Sequence, residues 1–139
     1  MIIVDASVWV SYLMSNDVNH AASAVWLKRT LSEQGRLTEP YLLAAEIGGA
    51  ISRLTGDTVR ASRIVNLLLS SSTIDWIAMD RTSGQAVAQT AIDFRLRGAD
   101  AVYVALARQQ QMPLVTWDQE QLSRAAGYIV VQSPGVGTA

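Results

Sequence analysis

Ile2-Ile3-Val4-Asp5 is a run of three β-branched residues halted by an acid. An apolar run with no alternation is what a strand buried on both faces requires, and such strands belong to parallel sheets covered by helices. Working outward, the same signature returns at Pro113-Leu114-Val115-Thr116, at 74–78 and at 128–131, with a shorter echo at Arg36-Leu37-Thr38. Helical patterns fill the gaps. They are read over 6–14, 19–34 with Gly35 as its cap, and 41–55, where Pro40 opens the helix and Leu43, Ile47, Ala50, Ile51 and Leu54 share a face. Further helices are read over 58–70 with Ile64, Leu67 and Leu68 inward, over 80–97 broken by Gly98, over 99–111 and over 119–126. Strands alternating with helices predict an α/β fold, a central parallel sheet flanked by helices in an α/β/α sandwich. Residues 134–139 read as a frayed tail.

Composition narrows the function. The 139 residues are 50% hydrophobic and 17% charged with a net charge of −1, enough for one core and too balanced for a polycation. Disorder is excluded. Cysteine is absent, which removes disulfide scaffolds, thiolate zinc sites and cysteine nucleophiles. With His20 as the single histidine, His-rich metal sites are excluded and a Ser-His-Asp triad would depend on that one residue. No signal peptide is read, because the opening has no basic lead. The longest unbroken apolar run, 101–107, is far short of the ~20 residues of a membrane helix. The expectation is a soluble, cytoplasmic protein with no membrane association.

In open parallel sheets, ligands bind outside the carboxyl ends of the strands. Two acids fall there: Asp5 directly after the first run, and Asp118 two residues after Thr116. Asp100 lies in the first turn of an otherwise apolar helix, and Glu46 sits at the border of an apolar stripe, about 80° from its centre. Each has an ordinary reading. Asp5 and Asp118 precede helices and suit N-caps, with Gln121 placed like a capping-box partner and Trp117 and Leu122 like a hydrophobic staple. Asp100 favours a helix N-terminus through the dipole, and Glu46 suits a solvated boundary. If the four converge, their mutual repulsion calls for a cation. Oxygen-only ligands suit Mg²⁺ or Mn²⁺ rather than Zn²⁺.

The chain resembles PIN-domain ribonucleases of the VapC toxin type. The resemblance rests on Ile2-Ile3-Val4-Asp5-Ala6-Ser7-Val8, Pro40-Tyr41-Leu42-Leu43-Ala44-Ala45-Glu46, Arg97-Gly98-Ala99-Asp100-Ala101 running into Ala105-Leu106-Ala107, and Leu114-Val115-Thr116-Trp117-Asp118. These occur in the family's order and span nearly the whole chain. The resemblance implies a single PIN-like domain over 1–133, with Asp5, Glu46, Asp100 and Asp118 forming an acidic pocket that holds Mg²⁺ or Mn²⁺. It implies metal-dependent endonucleolytic cleavage of RNA by activated water, with Asp5 and Asp100 as principal ligands. Thr116 matches a supporting hydroxyl position, beside the alternative of an ordinary strand residue, and Ser7 is equally open to a helix-start role. The family also implies a homodimer and a cognate antitoxin. Where some relatives carry a further acid after the last Asp, this chain has Gln119, Glu120 and Gln121.

Ten of the eleven cations are Arg, the side chain suited to bidentate phosphate contact. Arg53, Arg60 and Arg63 cluster in sequence, and Arg97, nearest to a site acid, is the candidate RNA contact; solvated helix faces are the bland alternative. Trp9, Trp26 and Trp76 fall on apolar patterns and read as core or interface. Competing functions are a receiver-like regulatory module, which needs a late Lys where none exists beyond Lys28, a PIN-like scaffold that binds without cleaving, and, remotely, a two-carboxylate glycosidase.

Overall fold

The computed structural model describes residues 1–135. Five strands, β1 (Ile3–Val4), β2 (Leu37–Pro40), β3 (Ile74–Ile77), β4 (Leu114–Val115) and β5 (Val131–Gln132), form one sheet in the order β3-β2-β1-β4-β5, every pair parallel. The helices are α1 (Ala6–Leu13), α2 (His20–Gln34), α3 (Leu42–Thr55), α4 (Thr58–Leu69), α5 (Arg81–Phe94), α6 (Gly98–Gln110) and α7 (Gln119–Arg124). Parallel pairing requires a crossover between strands, and the helices supply it. Ile3, Val4, Leu114 and Val115 are wholly buried, as the uninterrupted apolar runs require. Helix α6 packs on β1, β2 and β4, while α1 packs on α2 and α3, and α3 on α4. The chain builds outward from β1 through β2 to β3, then returns to β4 on the opposite side. The order therefore switches between β1 and β4, and the crevice beyond their carboxyl ends is where such a sheet admits ligands.

Several boundaries differ from expectation. Pro40 ends β2 instead of opening the helix, and Tyr41 becomes the N-cap of α3. Proline is tolerated there because the bond to β3 at this end of the strand is donated by Tyr41 N, to Ile77 O at 3.3 Å, and not by Pro40. Gly98 does not break a helix; it begins α6, while Arg95 in the left-handed conformation (φ 53°) ends α5. The last strand starts at Val131, where the expected one ends, and Ala126 and Ile129 form only an isolated bridge. Leu54 and Leu67, expected inward, are exposed, as is Val25. In the expected tail, Pro134 is buried and Gly135 exposed, and residues 136–139 lie outside the described region. The Gly48-Gly49 pair in α3 has a packing reason. A Cβ on Gly48 would stand 3.1 Å from Val65 Cγ2 of α4, and one on Gly49 would stand 3.1 Å from Arg53 Nη1. Among the described residues no helix is long and apolar enough to cross a membrane.

Candidate active site

Asp5 is the N-cap of α1: its Oδ2 accepts from Ser7 N at 3.1 Å. The same Oδ2 accepts from Thr116 Oγ1 at 3.0 Å, and Thr116 Oγ1 accepts from Asp118 N at 2.9 Å. Ser7 Oγ lies 3.3 Å from Thr116 Oγ1 and accepts from Trp117 N at 3.0 Å. Ser7 and Thr116 thus lock the end of β1 to the end of β4. Capping and site membership are not alternatives for Asp5, because its second oxygen remains directed into the crevice.

That oxygen meets Gln121. The Gln121 amide is wholly buried, and its Nε2 donates to Asp5 Oδ1 at 3.2 Å and to Asp100 Oδ1 at 3.0 Å. The amide orientation follows from chemistry: turned over, its oxygen would face two carboxylates with no proton between them. Its Oε1 is buried without a partner. Asp118 caps α7 through Gln121 N at 2.8 Å, but the Gln121 side chain leaves the capping box and turns inward to the other two acids. A second bridge lies nearer to solvent. The Arg97 guanidinium pairs with Asp100 Oδ2 through Nε at 3.2 Å and with Asp118 Oδ2 through Nη2 at 3.5 Å. Arg97, expected as an RNA contact, is therefore directed at two of the acids, although it is 73% exposed.

Glu46 reaches the site from α3 and is held by Tyr103, whose hydroxyl donates to Glu46 Oε1 at 2.7 Å. Tyr103 is wholly buried, and its burial together with the nearby Glu46 charge pushes its phenol far above the usual range, so it stays protonated and able to donate to Glu46. Burial raises the Glu46 carboxyl above its ordinary value, and the Asp5 and Asp100 charges add to this against the Tyr103 bond. Burial likewise raises Asp100, reinforced by Asp118 and opposed by Gln121 and Arg97. Each of these rises marks negative charge held close to negative charge in a partly dry crevice.

Three contributors escaped the sequence reading. Tyr103 was one letter of an apolar run; its signal was its i,i+3 spacing from Asp100, which puts both on one helix face. Gln121 offers in sequence only the spacing of a cap partner. Glu39 had no signal: it is fully buried in β2, with Oε1 accepting from Val4 N and Trp9 Nε1, each at 3.1 Å, and Oε2 unpartnered. Burial pushes its carboxyl well above the ordinary value, helped by the adjacent Asp5 charge. Elsewhere, Trp117 directs its indole N–H to Ser23 Oγ at 2.8 Å, away from the crevice, and His20 Nδ1 lies 3.0 Å from Ser11 O at the start of α2.

A model of the PIN domain matches residues 2–128. The chain belongs to the PIN domain family. Solved structures similar to this PIN domain include VapC20 of Mycobacterium tuberculosis, described as a sarcin-ricin loop cleaving toxin. It is 17% identical with a TM-score of 0.76, the match covering 93% of this chain and 97% of that one. FitAcB from Neisseria gonorrhoeae is 19% identical with a TM-score of 0.71, covering 96% and 98%. VapBC2 from Rickettsia felis, bound to a promoter DNA fragment, is 11% identical with a TM-score of 0.69, covering 96% and 98%. No curated protein matches the sequence. At these identities the solved structures establish the fold, and the chemistry rests on this PIN domain's own residues.

The donor set suits a hard divalent cation, being carboxylate and hydroxyl oxygen with no thiolate or imidazole. Among the described residues no three acids stand together at metal-ligand spacing. The reason is visible: the Gln121 amide and the Arg97 guanidinium stand between the carboxylates and supply the positive ends that offset their repulsion.

Proposed function

We propose that this PIN domain is a Mg²⁺- or Mn²⁺-dependent endoribonuclease that hydrolyses RNA phosphodiester bonds in the cytoplasm as the toxin of a toxin–antitoxin pair. The observation that carries the reading is the linkage of Asp5, Asp100 and Asp118 through Gln121 and Arg97 at the switch point of the sheet, with Glu46 beside them. Asp5 and Asp100 would hold the cation, Asp118 would complete its shell through water, and Glu46 would orient the attacking water. Thr116 and Ser7 hold Asp5, and Tyr103 holds Glu46, while Gln121 and Arg97, which now bridge the acids, would give way to the cation. When bound, the cation lowers the pKa of water and neutralises charge on the phosphate. The similar solved structures include a toxin–antitoxin complex from Klebsiella pneumoniae, which supports an antitoxin partner.

The test is incubation of purified protein with structured RNA and Mn²⁺, against an EDTA control. Cleavage with Mn²⁺ and none with EDTA is expected, and equal cleavage in both would sink the reading. A scaffold that binds without cleaving draws support from one observation, that Gln121 and Arg97 already offset the acids. Thermal melts separate the two. A cation at 100 times its Kd stabilises by about 2.7 kcal/mol, so millimolar Mn²⁺ is expected to raise the melting temperature by several degrees; no shift would favour the scaffold.

A homodimer completes the proposal. Leu54 of α3 and Val59 and Leu67 of α4 are 62%, 68% and 65% exposed, an apolar surface that a second copy would cover. Light scattering at micromolar concentration is expected to give twice the 15.0 kDa chain mass; a monomer would contradict it.

A further inference from the structure

We infer that the groove between α1 and α3 carries the RNA backbone away from the acids and that Arg53 binds a phosphate there. This rests on the nuclease reading and adds a substrate-binding residue to it. The groove, about 500 Å³, is lined by Ala6, Ser7 and Val10 of α1 and by Ala45, Glu46, Ala50 and Arg53 of α3. One end is the site itself, through Ser7 and Glu46. Arg53 is the single cation along it and forms no ion pair with any acid among the described residues. This sets it apart from Arg97, which is engaged with Asp100 and Asp118.

Spacing and shape support a backbone ligand. Arg53 is seven residues beyond Glu46, two turns along α3 or about 10.5 Å, so a phosphate at Arg53 is a few nucleotides from the bond under attack. Gly49 makes room for the guanidinium, since a Cβ there would stand 3.1 Å from Arg53 Nη1. Apart from Ser7, Glu46 and Arg53, the lining is Ala6, Val10, Ala45 and Ala50, which offer no side-chain hydrogen-bonding group. Such a surface reads the sugar-phosphate chain and not base edges, and a planar guanidinium is the fitting partner for phosphate. The contact is therefore independent of RNA sequence.

The competing role for Arg53, in the last turn of α3, is to complement the helix dipole. That role affects stability and leaves RNA binding alone. The experiment measures fluorescence anisotropy of a labelled single-stranded RNA with the Asp100→Asn protein, alone and combined with Arg53→Ala, Arg53→Glu or Arg53→Lys, across a range of salt. Expected results are binding weakened about 5–10-fold by Ala and more by Glu, partial recovery with Lys, and a salt slope reduced by about 0.7 for the lost phosphate contact. The loss should be equal for unrelated RNA sequences. In cleavage assays with Asp100 intact, Arg53→Ala should raise KM and leave kcat. Unchanged affinity and slope in both the Ala and Glu variants, while the parent protein cleaves RNA, would overturn the inference alone. A parent that neither binds nor cleaves RNA would remove it together with the nuclease reading.

Discussion

Asp100→Asn is expected to lower RNA cleavage by about a thousand-fold or more while leaving the fold intact. The amide keeps the shape of the side chain and an oxygen to accept from Gln121 Nε2, so the bridge to Asp5 survives. It removes the negative charge that would hold the cation. Losing several kcal/mol of transition-state charge stabilisation corresponds to about three orders of magnitude in rate. Stability should move little. The Asp100–Arg97 pair that is lost is largely exposed on the Arg97 side, and such screened pairs contribute little to stability. Against this, burial and Asp118 disfavour the charged form of Asp100, a strain the amide does not have. The metal-free melting temperature should therefore stay level or rise slightly, and the Mn²⁺-dependent rise should shrink. Wild-type cleavage rates from the variant would refute the assignment of Asp100, and a collapsed melting temperature would recast it as a structural residue.

Glu39 carries the largest expected effect on stability. Glu39→Ala leaves Val4 N and Trp9 Nε1 as buried donors with no acceptor and opens a cavity under β1. The expected cost is roughly 3–5 kcal/mol, a large share of the ~5–15 kcal/mol that holds a domain together. Glu39→Gln retains an oxygen for both donors and takes up no proton on folding, so it should be at least as stable as wild type at neutral pH. The sign of the pH dependence follows from the raised carboxyl. The folded protein holds this proton more tightly than the unfolded chain, so the stabilisation is complete below the ordinary value of 4.5 and is lost as pH rises through the folded value. Glu46 and Asp100 are raised too and act in the same direction. The metal-free protein should gain stability as pH falls from neutral toward 5, opposite to common acid denaturation, and Glu39→Gln should weaken that gain. Denaturant melts of the three proteins between pH 5 and 8 test both points. A flat wild-type profile, or equal stabilities for Ala and Gln, would contradict them.

Much of this was legible along the chain. Ile3-Val4 and Leu114-Val115 declare buried parallel strands because every position is apolar, and Asp5 and Asp118 mark where those strands end. Capping chemistry at Asp5 and Asp118 was legible as well, since an N-cap is decided within four residues. Element order, the parallel class of the sheet and the end of the sheet to search all follow from local pattern. Boundaries such as Pro40 and Gly98 were misplaced because proline and glycine signal a change of conformation without saying on which side of it they fall.

Tertiary structure alone decided what the polar side chains do. Gln121 contacts Asp5 across 116 positions of sequence and Asp100 across 21, and Tyr103 reaches Glu46 across 57. No local periodicity encodes such pairs. Glu39 is the clearest case: an acid in a short strand resembles a solvent-facing residue until the Trp9 ring and the Val4 amide close over it. Hydrophobic pattern is set by which face of an element turns away from water, a property of neighbouring residues. The partner of a buried polar group is set by which distant element packs above it, and that exists only once the chain has folded.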